Sequence, residues 1–342
     1  MNFAAFKSWR EQRLRANLDL LDCGETNLYR SLASLQSKPE TSSADRSVHR
    51  CDLARSWLNR YGFPASHSRR ALVCRGVRHA LTLIFQELAT TDATLWVPDD
   101  VYPVYLELAR AAGIEARGFV TLPKPEIPAT GANGCAEYLL IANPWKPLGR
   151  FLTDEECAAL TGWLDASRRR HLLVDCVYDL DAPLHATTQM LRETGRAILL
   201  HSVTKGWLWP RTFGVALLGE GHSQFESAFR RESPTLAQLR LAEGLLSNGA
   251  SCPGQVAISL QSRAEMLFAA LPDAVGRSLV TDAARLSPGC YFFPVRIQAE
   301  ELLREYRLLA IPSAAFGAAS WNGSVLTSLS AALAPVKDRG AQ

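Results

Sequence analysis

Between residues 71 and 218 one pattern recurs, a short apolar run followed by a stretch with helical amphipathicity. The runs are Ala71-Leu-Val-Cys74, Thr94-Leu-Trp-Val97, Ile114 to Val120, Tyr138-Leu-Leu-Ile-Ala142, Leu172-Leu-Val174, Ile198 to Leu200 and Phe213 to Leu218. Runs this short and this apolar suit strands buried on both faces, and helices between them supply the crossovers that parallel strands need. The expectation is an α/β fold, a large domain with a mainly parallel sheet covered by helices. Ligands in such sheets bind at the carboxyl ends of the strands. Gly76, Tyr102, Lys146, Asp175 and Lys205 all fall at those ends.

The flanks read differently. Phe3 to Leu21 carries apolar residues at helical spacing, and a polar, serine-rich stretch runs from Ser37 to Ser47. Thr153-Asp-Glu-Glu156 has the form of a capping box that opens a helix. Beyond residue 220 helices dominate, then strand-like Cys290 to Ile297, a helix from Ala299 to Leu309, and Ala310 to Leu333. A large domain over 51–235 and a smaller α+β domain over 236–342 follow, with 1–50 an N-terminal arm joined to the smaller one.

Several classes are excluded by what the chain lacks. A net charge of +3 with arginines spread along 342 residues gives no nucleic-acid footprint. No apolar run approaches the roughly 20 residues that cross a bilayer, and Met1 to Leu18 has no signal-peptide core. The eight cysteines show no Cys-x-x-Cys and no metal-ligand spacing, as expected of reduced thiols in a cytoplasmic protein.

Lysine is scarce: Lys7, Lys38, Lys124, Lys146, Lys205 and Lys337 are the full set. Lys205 ends an apolar run, follows Ser202 and Thr204, and precedes Arg211 by six residues. An amine in that setting suits a Schiff base beside a bound phosphate, although a plain strand-to-loop lysine has the same look. Gly76 precedes a helix whose first N–H groups, at Val77 and Arg78, could take a phosphate or simply form a cap. Asp175 directly follows Leu-Leu-Val, where a carboxylate is costly to bury without a partner.

Taken in order, these motifs resemble the fold-type I, class I/II aminotransferases, pyridoxal-phosphate enzymes, and most closely their histidinol-phosphate-aminotransferase-like branch. The resemblance covers residues 52–335. It implies pyridoxal 5'-phosphate as cofactor, a homodimer, and a small-molecule amino donor and acceptor, with neither nucleic acid nor membrane as partner. It assigns Lys205 the Schiff base and the proton shuttle, and Asp175 the ring nitrogen. Tyr178 goes to the ring's phenolic oxygen, and Tyr102 to stacking on the ring. Gly76, Val77, Arg78, Ser202, Thr204 and Arg211 go to the phosphate.

Departures from the family pattern qualify the expected reaction. In Asn143-Pro-Trp-Lys-Pro-Leu-Gly149 a lysine, Lys146, stands where the family has a second asparagine. Lys146 either favours the phenolate, serves as a further acid–base group, or turns to solvent and leaves Asn143 or water to fill the gap. The arginine that grips a substrate carboxylate is replaced at about Leu326, in a segment with no arginine between Arg307 and Arg339. The family's partner-subunit tyrosine is missing from Asp45-Arg-Ser-Val-His49. Amino transfer remains the first expectation. A decarboxylase, lyase or cyclase, or a degenerate binding subunit, stands beside it. His79 and His201 flank the motifs as catalytic candidates or structural residues, and Trp207 and Trp209 as core filler or site wall.

Overall fold

The computed structural model describes residues 2–17, 19–36, 47–101, 103–129, 134–318 and 321–333. In chain order, α1 (Phe3–Ala16) leads to β1 (Leu21–Cys23), α2 (Leu28–Ser31) and α3 (Arg50–Arg60). Then come β2 (Ala71–Cys74), α4 (Val77–Leu88), β3 (Thr94–Pro98), α5 (Val104–Ala112), β4 (Ala116–Phe119) and β5 (Glu137–Ala142). They are followed by α6 (Asp154–Asp165), β6 (Arg170–Asp175), α7 (Ala186–Glu193), β7 (Ala197–Ser202), α8 (Val203–Gly206) and β8 (Gly214–Leu217). Helices α9 (Glu226–Arg231), α10 (Leu236–Ser247), α11 (Cys252–Ala270) and α12 (Asp273–Arg277) follow. The chain closes with β9 (Phe292–Val295), α13 (Ala299–Tyr306), β10 (Leu308–Pro312) and β11 (Ser324–Thr327).

Seven strands form one sheet in the order β2-β8-β7-β6-β5-β3-β4. All neighbours are parallel except β8, which runs antiparallel to β2 and β7. The sequence explains that exception: the stretch from α8 to Gly214 is too short for a helical crossover, so the chain can only fold back. Strands β5, β6, β7 and β8 are buried at every residue, as their uninterrupted apolar runs require. This is the mixed α/β, mainly parallel architecture expected from the sequence.

A second sheet, β1-β10-β11-β9, brings the N-terminal strand beside the C-terminal ones. Leu267, Val275, Phe293, Val295, Leu302 and Leu326 form its own core. On the other side, Phe6 of α1 packs with Leu309, Ile311 and Phe316.

Several elements differ from the sequence expectation, the first being the helical stretch read over Phe3 to Leu21, which ends at Ala16 before Leu21 enters β1. The helix from Ala299 ends at Tyr306 rather than Leu309, because Arg307 turns left-handed at φ 59° and Leu308 enters β10. The helix α7 lies in a segment where the sequence reading placed no element. His185 caps it by accepting from the Thr187 N–H.

Candidate active site

The ends of β2 and β7 build one wall. Gly76 caps α4 at φ +123°, a conformation that L side chains rarely adopt, and leaves the first N–H groups of α4 open. A Cβ on Gly76 would lie 3.4 Å from Thr204 Oγ1 and 3.9 Å from Ser202 Cβ, so the two segments converge on the same space. Ser202 is buried and its hydroxyl accepts from the Thr204 N–H at 3.3 Å. Behind them Gly214 lets the backbones meet, since a Cβ there would sit 2.8 Å from Gly76 Cα and 2.7 Å from His201 O.

Val77 is buried at the start of α4, while the Arg78 side chain is exposed. Arg211 is exposed as well; its backbone is left-handed at φ 58° and its carbonyl accepts from Gln238 Nε2 at 2.8 Å. The sequence reading aims Arg211 at a phosphate, and in the structure its side chain faces outward.

Asp175, at the end of β6, is 4% exposed and fully engaged. Its Oδ2 accepts from Tyr105 Oη at 2.5 Å and from Lys146 Nζ at 2.8 Å, and its Oδ1 accepts from the Val177 N–H at 3.1 Å. Burial pushes this carboxyl up, but the Lys146 ammonium and these donors outweigh it and hold the group below the usual carboxylate range. Burial and the adjacent Asp175 charge together push the Tyr105 hydroxyl well up, so it stays a donor.

The loop carrying Lys146 is held from below, which fixes where the amine points. Asn143 is fully buried; its Nδ2 donates to Thr187 Oγ1 and Thr188 Oγ1, both at 3.0 Å, and its Oδ1 accepts from the Leu152 N–H at 3.0 Å. The expected capping box is present at Thr153 and Glu156, and Glu156 also takes Trp145 Nε1 and the Arg150 guanidinium. Of the readings left open for Lys146, the solvent-facing one with Asn143 filling the gap is not the geometry seen here. Asn143 has no amide hydrogen left for a cofactor, and Lys146 turns inward to Asp175 rather than to solvent.

Lys205 lies across from this pair. Its Nζ sits 5.0 Å from the Tyr178 ring centroid and 5.4 Å from that of Tyr29, while Lys146 Nζ lies 4.8 Å from the Tyr178 ring. Burial and then the Lys146 charge lower the Lys205 amine to about 7, against the upward pull of Asp175. The Tyr178 hydroxyl shares a 3.0 Å hydrogen bond with Tyr291, and burial pushes it well up. The structure therefore brings Gly76, Ser202 and Thr204 together on one side, and Asp175, Lys146, Tyr178 and Lys205 on the other. Tyr102 lies outside the described residues.

Sequence reasoning missed Tyr29, Tyr105 and Tyr291. Tyr105 was detectable in principle, since it opens a helix one turn after Pro98-Asp-Asp-Val-Tyr-Pro103. Tyr29 and Tyr291 arrive from distant parts of the chain with no local signal.

Three of the flanking candidates make packing contacts and hydrogen bonds away from Lys205 and Asp175. His201 accepts from Trp57 Nε1 at 3.2 Å and bonds Asp179 O at 3.1 Å, with burial lowering it to about 4. The His79 Nδ1 accepts from the Arg75 N–H at 3.2 Å, and burial likewise lowers it to about 4. Trp207 is buried and donates to Leu245 O at 2.9 Å, as filler does. Leu326 points into the smaller core. The buried Arg263 donates to Ser330 O at 3.1 Å and Ser31 O at 2.9 Å, so its charge is committed to backbone.

No family model matches the chain, and no curated protein matches it by sequence. Solved structures do. A single mutant of Thermus thermophilus aspartate aminotransferase superposes with a TM-score of 0.69 at 18% identity, over 96% of this chain and 92% of that one. An aminotransferase from Mycobacterium tuberculosis gives 0.67 at 19%, over 96% and 92%. BacF from Bacillus subtilis gives 0.66 at 15%, over 94% and 90%. The fold is thus that of fold-type I aminotransferase structures.

Proposed function

We propose that this chain is a pyridoxal-phosphate enzyme acting through Lys205, and that its reaction is amino transfer between a small-molecule donor and acceptor. One observation carries the reading: at the carboxyl edge of one sheet Lys205 Nζ lies 5.0 Å from the Tyr178 ring, beside the buried Asp175–Lys146 pair, and burial there lowers the Lys205 amine to about 7. The fold's likeness to aminotransferases supports it.

The residues present fit the cofactor. A glycine at φ +123° faces two hydroxyl residues at a helix start, where a phosphate gains N–H donors. The bound cofactor supplies an aldehyde for an amine to join and a ring that stabilises negative charge on the substrate. Gly76, Val77, Ser202 and Thr204 would hold its phosphate. Asp175, held in place by Tyr105 and the Val177 N–H, would offer its carboxylate to the ring nitrogen. Lys205, lowered toward neutrality, would supply the amine that joins the aldehyde and would hold and move a proton at Nζ. Tyr178 offers its hydroxyl and ring face. Homodimer formation, a cytoplasmic setting and membership of the histidinol-phosphate-aminotransferase-like branch follow from the sequence resemblance as finer parts of this reading.

Leu326 favours a second reading, a decarboxylase, lyase or cyclase. An apolar, buried residue stands in place of the carboxylate-binding arginine, and Arg263 is spent on carbonyls. Product analysis of the cofactor-loaded protein with amino acids, with and without a keto acid, separates the two. Amino transfer requires the keto acid. Product formation without it favours the second reading.

A further inference from the structure

Asp175 Oδ2 is already taken twice, by the Tyr105 hydroxyl and by a full positive charge on Lys146. The pair is buried on the carboxylate side, at 5%, and open on the lysine side, at 18%. A charge-assisted hydrogen bond in that setting is strong, and a second cation gains little from a carboxylate whose charge is balanced. Of the two partners the lysine is the one that keeps some access to water, at 18% exposure, and the loop beneath it is fastened through other residues. Asp175 cannot move, being tied to the Val177 N–H and Tyr105.

The geometry points to Lys146 as a resident counter-ion that competes with the cofactor's ring nitrogen for Asp175. This inference rests on the pyridoxal-phosphate reading above and deepens it. Lys146 is a positioning residue: it sets how firmly Asp175 grips the ring nitrogen, and with it how strongly the ring draws charge. No covalent bond changes in the exchange. On cofactor binding the protonated ring nitrogen would take the ammonium's place on the carboxylate, and Lys146 would be released from it. The charged and titratable groups around the pair are Tyr105, Tyr178, Lys205, Cys176, Cys290 and His201. Among these, Lys205 is the one whose charge also responds to Lys146 near neutral pH.

The test compares equilibrium binding of pyridoxamine 5'-phosphate with that of its deaza analogue, in which carbon replaces the ring nitrogen. Neither has an aldehyde, so attachment to Lys205 does not enter. Wild type, Lys146→Met and Lys146→Arg are titrated alike. Loss of the ammonium's attraction for the phosphate, which both compounds carry, cancels in the ratio of their affinities, and what remains is the effect at the ring nitrogen. The expected result is a preference for the pyridine compound that grows about tenfold in Lys146→Met and stays near the wild-type value in Lys146→Arg. Should Lys146→Met not fold, Lys146→Asn keeps a donor without the charge. A ratio that is unchanged or smaller in the uncharged variant overturns the exchange and leaves the cofactor reading standing. Absence of binding to wild type and every variant overturns both.

Discussion

A methyl carbon on Gly214 would lie 2.8 Å from the Cα of Gly76, closer than real Cβ atoms come to backbone. The two residues sit at the ends of β8 and β2, strands that pair with Cys74 opposite Gly214. The antiparallel return of β8 therefore seats the turn that opens α4. Gly214→Ala should cost about 1–3 kcal/mol through overpacking against backbone that cannot yield. It should also weaken phosphate binding, because the strain falls on the turn itself. Melting curves with and without cofactor separate the two effects, and a variant as stable and as well loaded as wild type would refute the assigned contact.

Asn143→Ala removes three hydrogen bonds from a buried site and leaves Thr187, Thr188 and the Leu152 N–H short of a partner. A loss of about 3 kcal/mol is expected, from several buried groups each costing about 1–3 kcal/mol when unsatisfied. Calorimetry of the cofactor-free protein decides the matter. A variant that melts like wild type yet loses cofactor affinity would restore the sequence assignment of Asn143 to the cofactor.

Asp175→Asn should reduce turnover by at least about 100-fold, the scale of a lost acid–base or charge partner. It also strands the Lys146 charge, at a cost of about 3 kcal/mol since that lysine keeps some access to water. The folded carboxyl lies below its unfolded value, so the pair's contribution is complete above the unfolded pKa of about 4 and disappears as pH falls through the folded value. The stability gap between wild type and variant should thus not narrow from pH 8 to pH 5, where protonation of Lys205, favoured by Asp175, widens it, and should narrow in stronger acid. A gap that closes between pH 8 and pH 6 would contradict an ionised Asp175.

Attachment of cofactor to Lys205 needs the neutral amine. With that amine at about 7 rather than its ordinary 10.5, the neutral fraction rises through pH 7 and levels off above it. Rapid-mixing measurements of covalent uptake between pH 5.5 and 9.5 should show a midpoint near 7. A rate still climbing tenfold per pH unit at pH 9 would mean an unperturbed lysine.

Much of this was legible in the sequence for a specific reason. Strands buried on both faces leave continuous apolar runs, so β5, β6 and β7 were visible, and a carboxylate or amine at the end of such a run stands out. Lys205 and Asp175 were readable on that ground. What failed to show were contacts made across the fold. Asn143 was placed at the cofactor by resemblance, and α7, which supplies Thr187 and Thr188, is short, holds few apolar residues and was not expected. Tyr29 and Tyr291 reach the site from the N-terminal segment and the approach to β9, and nothing local marks them. Lys146 was singled out, but its aim depends on Glu156 clamping Trp145 and Arg150, which only packing reveals.

The central claim is that Lys205 is the amine that joins the cofactor. Purified wild type and Lys205→Ala should each be mixed with pyridoxal 5'-phosphate, reduced with borohydride, digested and weighed. The account predicts that the cofactor's mass appears on the peptide containing Lys205 in wild type and on no peptide of the variant. Label on Lys146 instead, or no label on wild type, would contradict it.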